Sequence, residues 1–159
     1  MDQSDIIILQ QLAKNAHITA SEIVPIVHLS IPSINKRIER LKQSGVIRCV
    51  SIITNSNLVG KNITAFISCV LSKATYADAL IEYSKNNCDI LECYTVTGEY
   101  DFILKVCVKD INTLENLLTL LKRKLGVVKS HTIIALTEHK FSSAVLPCDI
   151  VDKDVKETE

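Results

Sequence analysis

Lys36, Arg37, Arg40, Lys42 and Arg48 crowd five of the first six cations of the chain between positions 36 and 48. On a helix advancing about 100° per residue, Ile34, Ile38 and Leu41 share one side, while Pro32, Ser33, Lys36, Glu39, Arg40 and Gln43 lie opposite and Arg37 falls on the flank. Lysine and arginine donate to phosphate oxygens, and the arginine fork also fits the guanine edge. When a recognition helix enters the major groove, its N-terminal residues come closest to base edges. This assigns Ser33, Lys36 and Arg37 to base readout and Arg40 with Lys42 to the DNA backbone, with Ser30 and Pro32 completing the DNA-binding set at the helix start. Arg37, being on the flank, could instead pair with the preceding helix.

A second cluster is Thr97-Gly98-Glu99-Tyr100-Asp101. Gly98 permits close backbone approach, and exposed amides beside it can meet a carboxylate. Asp101 can meet an ammonium. The pair of properties suits an amino-acid zwitterion, but a plain hairpin turn between two strands accounts for the same residues.

Little else suggests chemistry. The chain contains no G-x-S-x-G, P-loop, Rossmann glycine fingerprint or His-Glu-x-x-His. Six cysteines (49, 69, 88, 93, 107 and 148) form no C-x-x-C pair and mostly sit in apolar runs, so they read as buried thiols. The four histidines (17, 28, 131 and 139) do not fall at zinc-site spacings, and neither metal nor cofactor is expected. No run of about 18 uncharged apolar residues predicts a membrane span. The acidic start, Met1-Asp2-Gln3-Ser4-Asp5, lacks the basic opening of a secretory signal, so the protein is expected in the cytoplasm. The net charge of zero hides a split. Residues 1–60 carry +2 and the remainder −2, which again directs a polyanion to the first part.

Three helices must position the cations. Residues 2–15 predict the first, with Asp2 as N-cap and Ile6, Leu9, Leu12 and Ala13 as its apolar stripe. Thr19 to Glu22 has the spacing of a capping box for the second, which Pro25 should kink or shorten. Ser30 caps the third, Pro32 is tolerated in its first turn, Ile31, Ile34, Ile38 and Leu41 form its stripe, and Gly45 stops it. Val46–Ile53 is β-branched enough for a strand hairpin or wing. The whole is a winged helix-turn-helix over 1–53, followed by a connector over 54–62 rich in turn residues.

The apolar period then changes. Strands are expected over Ile63–Leu71, Ile90–Thr97, Phe102–Val108 and Val127–Thr137. Helices fit 75–86, with Ala77, Leu80, Ile81 and Ser84 inward, and a segment capped by Asp110 with Ile111, Leu114, Leu118, Leu121 and Leu125 inward. The order βαββαβ over 63–140 is a ferredoxin-like domain, and the chain is of the α+β class. Both helices lie on one sheet face, so the other face needs a cover, most simply a second copy. Residues 141–159 lose periodicity and read as a mobile or loosely docked tail, whose 149–159 stretch mixes five acids with two lysines.

Asp2-x-x-Asp5-x-x-Ile8-Leu9, then Leu29-Ser30, Arg37-Ile38-x-x-Leu41 and Gly45-Val46-Ile47 resemble the opening and recognition helix of the Lrp/AsnC family of regulators. Glu92-Cys93-Tyr94-x-Val96-Thr97-Gly98-Glu99-Tyr100-Asp101, Gly126-Val127 and Ser130-x-Thr132 resemble its sensing domain. The resemblance spans Asp2 to about Lys140. It implies promoter binding to double-stranded DNA, homo-oligomers (dimers, often octamers or larger rings), and an amino acid or related metabolite as effector. It also implies an effector site at Gly98, Glu99, Tyr100, Asp101, Ser130 and Thr132. Glu99 would then disfavour an acidic effector. Departures from the family pattern are His17 for arginine, His28 for glycine, Pro25 in the second helix and Leu125 for proline. Two other functions stay within reach of the same architecture: an architectural DNA binder without effector, and a tetrapyrrole decarboxylase. The second usually has a degraded DNA-binding helix, whereas Lys36, Arg37 and Arg40 are kept here, so no enzyme is expected.

Overall fold

Asp2 opens the first helix by accepting the Asp5 amide at 3.0 Å, and Asp5 accepts the Asp2 amide at 3.0 Å in return. This reciprocal cap starts α1 (Gln3–Lys14). Thr19 and Glu22 cap α2 (Ala20–Val27) in the same way. Pro25 cannot donate to the carbonyl one turn back, and α2 is held to eight residues, ending at His28 with φ 54°. Ser30 caps α3 (Ile31–Gln43), and Gly45 takes the left-handed stop at φ 76°. These observations come from a computed structural model that describes residues 1–147. The acidic part of the expected tail, 149–159, lies outside the described residues, as does Cys148.

Ile8, Ile23, Ile34 and Leu41 form the core of this unit, with Leu9, Leu12 and Ile38 against it. Two stripe assignments need correction. On α1 the inward row is Asp5, Ile8, Leu9 and Leu12, and Ala13 is exposed. The row is rotated because a buried carboxylate, charge-matched by arginine, holds an inward place that apolar counting does not allow. On α3, Ile31 is exposed, since the first turn projects past the small core.

His28 is the one non-glycine residue with positive φ among those described. A side chain there costs about 1 kcal/mol through Cβ crowding. His28→Gly should therefore raise the urea midpoint of the helical transition slightly, a gain of about 0.5 kcal/mol after glycine's added unfolded-state entropy. An unchanged or lowered midpoint would show that the imidazole contributes as much as its backbone costs.

The expected hairpin or wing at Val46–Ile53 is not formed as a ladder. Ile47 still bonds back to the Leu41 carbonyl at 3.0 Å, but Val50, Ile52 and Ile53 are exposed and no strand is assigned from 46 to 62. A strand needs a neighbour for its amides, and this segment has none within the described chain. Asn55 then closes a turn by accepting the amides of Asn57 and Leu58 at 3.1 and 3.3 Å.

The second half gives β1 (Ile63–Leu71), a 3₁₀ turn at Ala74–Tyr76, α4 (Ala77–Asn86), β2 (Ile90–Thr95), β3 (Phe102–Val108), α5 (Ile111–Lys124) and β4 (Val127–Ile134). The sheet order is β2-β3-β1-β4, antiparallel throughout. This is the ferredoxin-like βαββαβ arrangement expected. Ala65, Ile67 and Cys69 alternate inward from β1, and Phe102, Leu104, Val106 and Val108 from β3, to meet Leu80, Leu114, Leu117 and Leu121. The described residues form two compact units, Ile53–His139 and Met1–Ile52 with 140–147.

Two strand boundaries shift. β2 stops at Thr95, not Thr97, because the Val96 amide turns to the Asp101 carbonyl at 2.9 Å. β4 stops at Ile134, not Thr137, because the last bond of its ladder, from Ala135 to Thr64, meets the start of β1. On α5, Leu118 packs against the core as expected, Leu117 is buried beside it, and Ile111 is exposed.

Cys69 and Cys107 are buried thiols as expected, but Cys49 and Cys88 are exposed. Those two sit in chain segments that cover no core. Burial, with the nearby Cys93 adding to it, pushes the Cys69 thiol up to about 11. No described helix is long and apolar enough to cross a membrane.

Candidate functional site

The outer face of α3 is an open, shallow strip lined by Leu29, Ser33, Asn35, Lys36, Arg37, Glu39, Arg40 and Gln43. Ser30 and Ser33 share a hydroxyl contact at 2.9 Å, and the Ser33 amide donates to Ser30 at 3.4 Å. Ser30 is thus partly committed to capping. Pro32 is exposed beside it. Lys42 lies 3.5 Å from Glu39, a loose surface pair. Lys36 is exposed and enters no ion pair with the described residues. It is the cation best placed to meet an external anion.

The two arginines are held from behind. Arg37 Nη1 reaches both oxygens of Asp2, at 2.9 and 2.7 Å, and Asp5 Oδ1 at 2.7 Å. Arg40 Nη2 reaches Asp5 Oδ2 at 2.7 Å. Arg37 therefore pairs with α1, not with the preceding helix. The Asp5 side chain has no exposed surface, while those of Arg37 and Arg40 are 25% and 61% exposed. Burial alone would raise the Asp5 carboxyl, but the Asp2 amide and the Arg37 guanidinium outweigh it and hold the group below the usual carboxylate range. The Arg37 hydrogen bond does the same for Asp2. Sequence reasoning missed this network. Its signal was Asp2-x-x-Asp5, which capping alone seemed to explain.

The turn Gly98–Asp101 closes the β2–β3 hairpin. Gly98 has φ 109°, open only to glycine in practice, and open space where a Cβ would stand. Asp101 is not free to act only on a ligand. Its Oδ2 accepts the Leu71 amide at 2.7 Å, and its own amide donates to the Cys69 carbonyl at 2.9 Å. The turn is thereby fastened to the end of β1. Lys129 lies over the Tyr100 ring, with Nζ 5.2 Å from the centroid. Pairing with Cys69 and Ile67 places Ser130 and Thr132 on the helix-facing side of the sheet, whereas Lys129, opposite Val70, projects from the other side. The structure brings Tyr100 to β4, but to Lys129 rather than to the two hydroxyl residues. Lys129 was not anticipated. Its position opposite the end of β1 becomes visible only with the strand register.

Residues 1–48 match the family model for a winged helix-turn-helix DNA-binding domain, and residues 64–145 that for the Lrp/AsnC ligand binding domain. The chain is 34% identical over 143 residues to the HTH-type transcriptional regulator FL11 of Pyrococcus furiosus, covering 88% of this chain and 92% of that one. It is 30% identical over 140 residues to the regulator LrpA of Mycobacterium tuberculosis, covering 86% and 91%. Among solved structures it is similar to the regulator NMB0573 of Neisseria meningitidis in complex with L-Met, at TM-score 0.85 and 26% identity over 91% of this chain and 96% of that one. It is similar also to E. coli AsnC, at TM-score 0.82 and 26% identity over 91% and 97%.

Proposed function

The chain belongs to the Lrp/AsnC family of transcription regulators, and from that premise we propose that α3 reads double-stranded DNA while the Gly98–Asp101 turn answers an amino acid or related small metabolite. The observation that carries the first half is the exposed Lys36, in no ion pair among the described residues, on the outer face of a helix fixed by Ser30 and Gly45. Ser33 and Lys36 lie toward the helix N-terminus, where base edges come closest, and Arg40 with Lys42 follows the phosphates. The role is that of a cytoplasmic, non-enzymatic regulator, working where its DNA is.

The sensing half rests on the turn and on the relative that holds L-Met. Lys129 sets a positive charge beside Tyr100 against the negative charge of Glu99, which suits a zwitterion better than a ligand of one sign. Ser130 and Thr132 face the opposite side of the sheet from Lys129. A site that uses both sets is completed between copies. Self-association has its own support. Phe66, Tyr94 and Ile133 are exposed on the sheet face that carries no helix, an apolar surface that a second copy would cover, as a dimer or as the unit of an octamer or larger ring.

One titration tests both halves. Binding to a duplex is measured by anisotropy against salt, with and without neutral, basic and acidic amino acids, for the native chain and Lys36→Ala. The variant should bind more weakly and flatten the log–log salt slope by about 0.9 per helix-turn-helix engaged. An unmoved slope removes α3 from the interface. Affinity that ignores every amino acid tested overturns the sensing role and favours an effector-free binder.

A further inference from the structure

We propose that Asp2 and Asp5 act as a positioning clamp that gives the two arginines of α3 different tasks: Arg37 is a strut withdrawn from DNA, and Arg40 is a cation held ready for a phosphate. The inference rests on α3 facing DNA, and it reverses the sequence-based assignment of Arg37 to base readout. Arg37 spends Nη1 on three carboxylate contacts to two acids, all between 2.7 and 2.9 Å, and its side chain keeps 25% of its surface. Arg37 takes three of the four arginine contacts to the two acids, so its charge is the one most fully matched within the unit and least able to displace a counterion from DNA. Arg40 makes a single carboxylate contact, at 2.7 Å to Asp5, and its side chain is 61% exposed. A guanidinium has five N–H donors in a fixed plane. One bond from Nη2 orients that plane and leaves Nε and Nη1 to donate outward.

The partner of the clamp sharpens the contrast. Asp5 is fully buried, so its charge is spent within the unit and does not face an approaching phosphate. It holds Arg37 through Oδ1 and Arg40 through Oδ2, which fixes the two side chains relative to each other. Ordering Arg40 before DNA arrives removes part of the side-chain entropy that a long cation loses on binding. Asp5 is accordingly a positioning residue: it touches no DNA and sets the side chain that does.

The test compares matched neutral variants in the full chain, Arg37→Gln and Arg40→Gln, with a labelled mixed-sequence duplex over a salt series. Glutamine keeps a donor for Asp5 and removes the charge. Arg40→Gln should flatten the salt slope by about 0.9 per engaged helix-turn-helix, and Arg37→Gln, with native helical circular dichroism, should leave the slope in place. Equal flattening by both, or flattening by Arg37→Gln alone, overturns the division. An Arg40→Gln slope equal to the native one overturns the role of Arg40. If Arg37→Gln does not fold, Asp2→Asn carries the test. Uncovering Arg37 should then steepen the slope, and an unchanged slope overturns the masking. Lys36→Ala separates this from the broader reading. If Lys36→Ala also leaves the slope unmoved, α3 is not the DNA face at all. If only Lys36→Ala responds, α3 stands and the clamp fails.

Discussion

Asp5→Ala should unfold the helical unit under conditions in which the native chain is stable, removing DNA binding while the α/β domain stays folded. The substitution leaves Arg37 with one acid and Arg40 with none, and it also removes the Asp5 half of the α1 cap. Deleting the buried acid costs about 2–3 kcal/mol, mainly its charged hydrogen bonds, because Arg40 is 61% exposed and rehydrates while Arg37 keeps Asp2. A unit of this size, with Ile8, Ile23, Ile34 and Leu41 as its buried apolar core among the described residues, has little more than that to lose. Urea melts followed by helical circular dichroism would show the early transition, and hydrogen exchange would show the sheet amides still protected. A single native-like transition for Asp5→Ala would mean that the arginines relax to water at little cost. The same network predicts acid sensitivity. Asp2 and Asp5 both have folded pKa values below their unfolded ones, so their contribution is fully present above an unfolded carboxyl pKa of about 3.9 and is lost as pH falls through the folded values. The helical unit should therefore melt on acidification below about pH 4, and Asp5→Asn, which cannot titrate there, should be weaker at neutral pH and show a flatter response.

Much of this architecture was legible because it is written in local signals. Asp2, Thr19 and Ser30 are caps that depend on residues within one turn, and Gly45 and Gly126 are stops that only a left-handed residue supplies. The strands of β1 and β3 follow from alternation between Ala65, Ile67 and Cys69 and between Phe102, Leu104, Val106 and Val108. What was not legible depends on partners far apart in the chain. Arg37 lies 35 residues from Asp2, and nothing in the helical wheel of α3 tells a flank arginine whether its acid sits on the helix before it or on the first one. Lys129 and Tyr100 meet because the hairpin turn is fastened to Leu71, itself a neighbour of β4. The exposed segment after Ile47 is the opposite case. Its residues favour a strand, but propensity cannot form a ladder without a second strand, and the described chain offers none.

Gly126→Ala should cost the α/β domain about 2–4 kcal/mol, more than a methyl group at a surface turn would suggest. Gly126 ends α5 and begins β4 at φ 67°, and its carbonyl accepts the Ser72 amide at 2.8 Å. The backbone there passes directly under the Tyr76 ring, so that a Cβ would overlap the Cγ, Cδ2 and Cε2 atoms. Two penalties add. The left-handed backbone costs an L-residue about 1 kcal/mol, and the ring must move or the strand must shift to admit the methyl group. The parts can be separated by a double-mutant cycle, since Tyr76→Ala removes the overlap and leaves the backbone conformation unchanged. Gly126→Ala in that background should cost only about 1 kcal/mol, and the coupling of about 1–3 kcal/mol between the two sites measures the overlap. Because β4 starts at Val127, a shift of the strand would also carry Lys129 away from Tyr100 and disturb Ser130 and Thr132. Any amino-acid response measured in the DNA titration should therefore weaken in Gly126→Ala even at temperatures where the domain remains folded. A single-variant cost below about 1 kcal/mol would show that the Tyr76 ring swings out to solvent freely, and that the close approach at Gly126 does not set where β4 begins.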